Sequence, residues 1–226
     1  MNVKNQFISI IAHDIKNSLT SINLLSDIII NYNDKLKEEE KLLKISNLKS
    51  TSTLLAELLS EMLMWSKSQS GDLEIEIREN NLTSLLSNLI ILYGLKDKNE
   101  NFDINFKLDE QILLNYDYNI LNTIIRNLLS NAVKFSGENV KVGLYVYKHE
   151  DYTDITISDN GVGMTIEQVD ILLDITKSKK LITNSKQKGT GFGINLCLEL
   201  TKKIGGEFLV ESEPNKGTKI TVRIPT

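Results

Sequence analysis

FISIIAHDIKNSLTSI, residues Phe7 to Ile22, decides how the first third of this chain folds. Apolar residues at Ile8, Ile11, Ile15, Ile22, Leu25 and Ile29 follow one another in steps of three and four, interrupted only at Ser18. That spacing draws an apolar stripe down one side of a helix, the seam along which helices pack. With Ile8 at heptad position a and Ile11 at d, His13 falls at f, farthest from the seam and facing water. Asp14 follows it directly, and Asn17 lies one turn on along the same exposed side. Taken alone, such a histidine is an ordinary solvated surface residue. Only the rest of the chain gives it chemistry.

Outward from this stretch, Val3 to about Tyr32 reads as one helix. Asn31, Asn33 and Asp34 supply a turn, and Lys35 opens a second long periodic segment with Ile45, Leu48, Ser52, Leu55, Leu59 and Met62. Two long amphipathic helices joined by a short turn make an antiparallel hairpin. Phe7, Leu19, Ile28, Leu58 and Trp65 widen its apolar face beyond what one hairpin covers. Pairing two hairpins as a four-helix bundle buries the excess, so a homodimer is expected, ahead of a contact with the rest of the chain. The hairpin ends in the polar stretch Ser68-Gln69-Ser70-Gly71, which divides the chain into residues 1–70 and 71–226.

Composition narrows the class. The 226 residues are 41% hydrophobic and 25% charged, the profile of an ordinary globular protein of one or two domains. A net charge of -4 gives no electrostatic footprint for nucleic acid. No apolar run approaches the ~18 residues of a membrane span, and the first residues lack the apolar core of a signal peptide. The single cysteine, Cys197, excludes an internal disulfide and fits a reducing compartment as a small buried hydrophobe. A cytoplasmic location is expected.

After Gly71 the period changes. Leu73, Ile75 and Ile77 alternate, as do Ile220, Val222 and Ile224, and both runs read as strands. Between them the pattern predicts helices over Leu82–Leu95, Tyr118–Phe135 and Gly193–Ile204. Strands are expected near Phe102–Leu108, Ile112–Asn115, Asn139–Lys148, Asp151–Asp159 and Gly206–Ser212. A long polar loop follows Asp159. Strands in hairpins with helices between them predict an α+β sandwich, one mixed sheet covered on one face by helices.

Three clusters carry the chemistry of this second part. On the helix NLLSNAVKF, Asn127, Asn131 and Lys134 share one face, while Ile124, Ile125, Leu128 and Ala132 face the core. Two amides and a lysine so aligned can ligate a hard cation and neutralise phosphates. Asp159-Asn160-Gly161-Val162-Gly163 follows a strand directly. A carboxylate there can accept from an exocyclic amine, and Gly161 and Gly163 let backbone approach a flat ring. Gly189-Thr190-Gly191-Phe192-Gly193 opens a helix whose free N–H groups suit phosphates. It lacks the lysine of a P-loop.

In this order and spacing, NLLSNAVKF, DNGVGM and GTGFGI resemble the N, G1 and G2 boxes of the GHKL-type ATP-binding domain shared by histidine kinases, gyrase, Hsp90 and MutL. Gly217-Thr218 matches that family's final glycine box. HDIKN in turn resembles the phosphoacceptor box of sensor histidine kinases, so the likeness covers nearly the whole chain. It implies ATP and Mg²⁺ as cofactors. Asn131 would ligate the metal with Asn127 assisting, Asp159 would contact the adenine amine, and Phe135 would pack on the ring. Thr218 would line the same pocket. Lys134, Lys186 and Lys188 would lie near the phosphates, under a lid over residues Met164 to Lys188.

The likeness also implies the reaction. ATP would phosphorylate His13, with Asp14 taking or orienting the proton on the other ring nitrogen, and a response-regulator receiver domain would receive the phosphoryl group. Asn17 would hold a water for the reverse, phosphatase reaction. The sequence departs from the family twice, with Ser18 where a proline is usual and Leu173 in the lid where a phenylalanine is usual. Serine in place of proline predicts a first helix straighter than is usual there. Two rivals are a GHKL-type ATPase clamp and a non-catalytic dimeric scaffold. With twelve residues before His13, a sensor is expected upstream in a longer protein, and any membrane anchor with it.

Overall fold

The computed structural model describes residues 3–32, 35–93, 95, 102–136, 141–174 and 192–226, without the side chains of 3–11, 13, 14 and 192. The chain forms two compact units, Met1–Leu73 and Glu74–Thr226. Among the described residues no helix is long and apolar enough to cross a membrane.

The first unit is a helical hairpin of α1 (Val3–Asn31) and α2 (Glu38–Ser70). The reversal between them is closed by Lys35 N–H and Leu36 N–H, which both donate to the carbonyl of Tyr32. Glu40 accepts from the backbone N–H of Lys37 at 2.9 Å. With Glu38 and Glu39 it sets negative charge on the positive end of α2. The helix stops at Gly71, whose φ of +83° is the left-handed cap that glycine adopts without a Cβ penalty.

The seam of α1 lies where its spacing put it: Ser18 is buried, and Ile15, Ile22, Leu25 and Ile29 are half-buried. The helix runs unbroken through Ser18. On α2 the expected stripe is rotated. Of that stripe Leu48, Leu55 and Met62 are half-buried, joined by Thr51 and Leu58 among others, whereas Ile45, Ser52 and Leu59 are exposed. Apolar residues surround this helix, so the periodicity alone did not select the inward face. A large apolar surface remains open on the hairpin, including Leu24, Ile30, Leu42, Leu43, Leu54 and Leu63.

The second unit begins with β1 (Arg78–Asn81), α3 (Leu82–Leu92), β2 (Phe102–Ile104), β3 (Leu113–Tyr116) and α4 (Tyr118–Phe135). It continues with β4 (Val142–Lys148), β5 (Tyr152–Asp159), α5 (Ile166–Leu173), α6 (Phe192–Lys203), β6 (Glu207–Glu213) and β7 (Gly217–Pro225). Five strands form one mixed sheet in the order β2-β4-β5-β7-β6. The β2–β4 pair is parallel and the others are antiparallel. Its core pairs Leu144, Ile155, Ile157, Val222 and Ile224 on the strands with Ile124, Ile125, Leu128, Leu196, Cys197 and Leu200 on α4 and α6, all buried. Cys197 is thus the buried hydrophobe expected.

Three expectations need correction. β1 and β3 pair antiparallel as a separate two-stranded sheet, so there is not one sheet but two. The alternating Leu73, Ile75 and Ile77 do not form a strand. Ile75 and Ile77 are exposed, and pairing starts only at Arg78, because a strand needs a neighbour and not only an alternation. Finally, the loop after Asp159 contains α5, whose start carries a capping box. Thr165 Oγ1 accepts from Gln168 N–H, and Gln168 Oε1 accepts from Thr165 N–H.

The N-terminus of α4 shows how the helix is fixed. Asp117, buried in front of it, accepts from Ile120 N–H through Oδ1 at 3.0 Å and from Glu76 N–H through Oδ2 at 2.8 Å. One carboxylate caps the helix and holds the segment that leads into β1. Removing a cap costs about 0.5–2 kcal/mol. Asp117→Ala should therefore speed amide hydrogen exchange in α4 by roughly 2–30-fold. Asp117→Asn, which keeps the cap oxygen, should have a smaller effect. Unchanged exchange in the alanine variant would place the anchor of α4 elsewhere.

Candidate functional site

The site grows from the end of the sheet. In the antiparallel register Asp159 faces Thr218 across β5 and β7, and Ser212 faces Thr218 across β6 and β7. Side chains alternate along a strand, so these three share the face of Ile155, Ile157, Ile220 and Val222. That is the face the helices cover. Asp159 Oδ1 accepts from Gly161 N–H at 2.8 Å and Thr218 N–H at 3.3 Å. Burial pushes the Asp159 carboxyl above the usual carboxylate range, while the two backbone donors oppose that rise.

The loop after Asp159 is held against the turn between β6 and β7. Asn215 N–H donates to Val162 O at 2.7 Å, and Met164 N–H donates to Ser212 Oγ at 2.8 Å. Asn160 Oδ1 accepts from Lys141 N–H at 2.8 Å. Gly217, at φ +95°, brings its strand so close that a Cβ would strike the carbonyl oxygen of Asp159. Gly163, at φ +62°, lies against the Glu213 carbonyl in the same way. Ser212 and Asn215 were missed by the sequence reading. Their one signal was a polar turn, Ser212 to Lys216, ahead of Gly217.

Helix α4 supplies the opposite wall. Asn127 and Asn131 are half-buried, Lys134 is exposed, and its Nζ stands 5.3 Å from the centroid of the half-buried Phe135 ring. Asn127 Nδ2 donates to Thr123 O at 3.0 Å, which directs Oδ1 to Gly193 in the first turn of α6. At the other end of the same face the Phe135 carbonyl abuts Gly161. The structure thus gathers Asn127 with Gly193, and Phe135 with Gly161, Asp159 and Thr218. Asn131 and Lys134 stand between these groups on α4.

Other expected residues are not placed. His13 and Asp14 lie in α1 by their backbone, but their side chains are outside the described residues. Lys16, Asn17 and Thr20, which share the helical face of position 13, are exposed. Lys186, Lys188, Gly189, Thr190 and Gly191 lie outside the described residues, as does the lid beyond Asp174. Within its described part no residue of α5 is buried, and Leu173 is exposed.

The residues present fit a nucleotide and a hard cation. At Gly161 and Gly193 the backbone lies so close to α4 that a Cβ would strike the Phe135 carbonyl oxygen and Asn127 Oδ1, so both walls of the cradle are held tightly together. Among the described residues no three His, Cys, Asp or Glu side chains cluster to hold a metal. Amide oxygens of the Asn127 and Asn131 type, completed by phosphate oxygens, are the donors Mg²⁺ accepts.

The raised pKa of Asp159 has a stability consequence with a definite sign. Its folded form holds the proton more tightly than the unfolded chain does. Folding therefore disfavours the carboxylate, and stability is lost as pH rises from the ordinary carboxylate range through the raised value. Asp159→Asn removes this dependence. Its stability relative to the native chain, followed by urea denaturation, should climb as pH rises from the ordinary carboxylate range. A constant difference across that range would mean that Asp159 is not desolvated.

Comparison with known proteins agrees with this geometry. Residues 3–71 match the His Kinase A (phospho-acceptor) domain, and residues 116–226 match the histidine kinase-, DNA gyrase B- and HSP90-like ATPase family. Sensor histidine kinase RcsC of Escherichia coli K12 is 30% identical over 224 residues, 98% of this chain and 23% of that protein. This chain thus spans less than a quarter of that relative's length. The histidine kinase AdeS of Acinetobacter baumannii has a similar fold, with TM-score 0.66 and 14% identity over 94% of this chain and 97% of that one. Histidine kinase ThkA, solved in complex with response regulator protein TrrA, gives a TM-score of 0.58 with 20% identity over 95% of this chain and 59% of that one. With an acceptor domain and an ATPase domain matched in the same order along one polypeptide, the chain belongs to the sensor histidine kinase family.

Proposed function

We propose that this chain is the autokinase core of a cytoplasmic two-component signalling protein. Residues 1–70 would dimerise and carry the phosphoacceptor, and residues 71–226 would bind ATP. The observation that carries this reading is that HDIKN, on a helix with an exposed face at Lys16, Asn17 and Thr20, is followed in the same chain by the Asp159 cradle.

In this reading Asp159 accepts from the adenine amine and Thr218 lies beside it. Phe135 covers the ring, and Gly161 and Gly163 give it room. Lys134, with Lys186 and Lys188 from the lid, neutralises phosphate charge. By the resemblance, Gly189, Thr190, Gly191 and Gly193 would serve phosphate binding through their N–H groups. Asn131, with Asn127, would hold Mg²⁺, which when bound would supply charge neutralisation to the phosphates. An imidazole nitrogen of His13 forms the bond to the γ-phosphorus as the bond to the bridging oxygen breaks. Asp14 holds the proton on the other ring nitrogen and so keeps the attacking one nucleophilic. A receiver-domain aspartate then takes the phosphoryl group. The assembly of ThkA with a response regulator in a similar fold supports that partner. Asn17, able to donate and accept, orients a water for dephosphorylation.

Incubation with Mg-ATP should leave acid-labile, alkali-stable phosphate on the chain and none on His13→Gln. A clamp-type ATPase would release phosphate without labelling itself, and a scaffold would do neither. Asp14→Asn should slow autophosphorylation by roughly 10²–10⁴-fold while sparing dephosphorylation of the regulator. Asn17→Ala should do the reverse. Equal losses of both activities in both variants would make the two residues mere supports of His13.

The open apolar surface of the hairpin supports a four-helix bundle between two copies. Light scattering should then give twice the 25.6 kDa chain mass. A monomer at micromolar concentration would remove the bundle.

A further inference from the structure

Ser212 is a crossroads. Its Oγ lies 2.8 Å from Met164 N, 2.9 Å from Gly217 O and 3.0 Å from Thr218 Oγ1. A hydroxyl has one proton and two lone pairs. The Met164 N–H can only donate, so it takes one lone pair. The Gly217 carbonyl can only accept, so it takes the proton. The contact with Thr218 is then satisfied in one way: Thr218 donates its proton to the remaining lone pair of Ser212. The reverse assignment would set two oxygens, Ser212 Oγ and Gly217 O, 2.9 Å apart with no proton between them, which forfeits one bond and adds repulsion.

This assignment decides what Thr218 can offer a ligand. With its proton committed to Ser212, its free lone pairs make it an acceptor only. Directly opposite it on the same sheet face stands Asp159, whose carboxylate is also an acceptor and whose Oδ1 already takes the N–H groups of Gly161 and Thr218. Two neighbouring acceptors suit a group with two N–H bonds. A purine 6-amino group has two such bonds, whereas a 6-oxo group has none and meets both oxygens lone pair to lone pair.

We propose that Ser212 is a positioning residue for base selectivity: by fixing the Thr218 proton it makes Thr218 an acceptor, so that Asp159 and Thr218 together select 6-amino over 6-oxo purine nucleotides. The inference rests on the nucleotide reading of the Asp159 cradle and extends it to a residue outside the glycine boxes. Ser212 also supports the loop through Met164 N–H, and that role would weaken every nucleotide alike. Only the ratio between two nucleotides isolates the proton.

The test is equilibrium binding of Mg-ATP and Mg-ITP to the full chain, since inosine differs from adenosine at the 6-position without adding a 2-amino group. The native chain should prefer ATP. In Ser212→Ala the Thr218 hydroxyl is free to turn and donate, and the ATP/ITP preference should fall by about tenfold, the worth of one hydrogen bond. Ser212→Thr, which keeps the hydroxyl, should restore it. A folded Ser212→Ala chain with an unchanged ratio overturns the proposal, however much its ATP affinity has dropped. If circular dichroism shows that variant unfolded, Thr218→Val decides. Removing the second acceptor should lower the ratio by a similar factor, and an unchanged ratio would overturn the proposal. A native chain that binds neither triphosphate would instead overturn the nucleotide reading itself.

Discussion

The antiparallel register of β5 on β7 is the constraint on which the candidate site depends. Pairing runs from Tyr152 opposite Pro225 to Asp159 opposite Thr218. A slip of one residue would turn Asp159 to the outer face and bring it beside a different neighbour. Both faces resist that slip. On the helix side Ile155 and Ile157 of β5 and Ile220, Val222 and Ile224 of β7 are buried, and the slip would expel the set of whichever strand moved. On the outer side Thr156 and Thr221 share a hydrogen bond at 2.9 Å. Arg223 grips Asp154 with two nitrogens, at 2.8 and 3.0 Å, and stacks on the Tyr152 ring at 4.0 Å. Isolated surface ion pairs contribute little. A two-point grip with a stacked ring has one geometry only, and so it specifies register even where its net energy is small.

What the sequence disclosed follows from the same physics. Helix α4 was legible to its ends because Asp117 caps it, and because apolar and polar residues separate cleanly on its two faces. Asp159, Gly161 and Thr218 were legible because their motifs are local. Ser212 was not, because its role arises across strands: it meets Met164, 48 residues earlier, and Thr218, on the next strand, only after the sheet has formed. The inward face of α2 was misjudged for a different reason. Leu42, Leu43, Leu54, Leu59 and Leu63 are exposed on that helix, so apolar residues mark more than one direction and no single period wins. The alternation at Leu73, Ile75 and Ile77 failed as a strand signal because Asp117 takes the Glu76 N–H, and among the described residues strand pairing begins only at Arg78.

The arrangement of α4 and α6 explains why the proposed site has the chemistry it does. Lys134 and Phe135 occupy the last turn of α4 and Asn131 the turn before it, close to the end where unpaired carbonyls leave partial negative charge. That end of a helix repels phosphate and attracts cations. Amide oxygens there suit a hard metal ion, and the Lys134 ammonium offsets the repulsion of any anion nearby. Helix α6 presents its opposite, positive end, with Gly193 in its first turn against Asn127. A polyanion approaching this junction would meet free N–H groups from α6 and would need a cation to face α4. On the proposed reading, Mg²⁺ dependence would follow from phosphates held at the positive end of α6, which lies beside the Asn127 amide of α4. It does not require a carboxylate cluster, and none is present among the described residues.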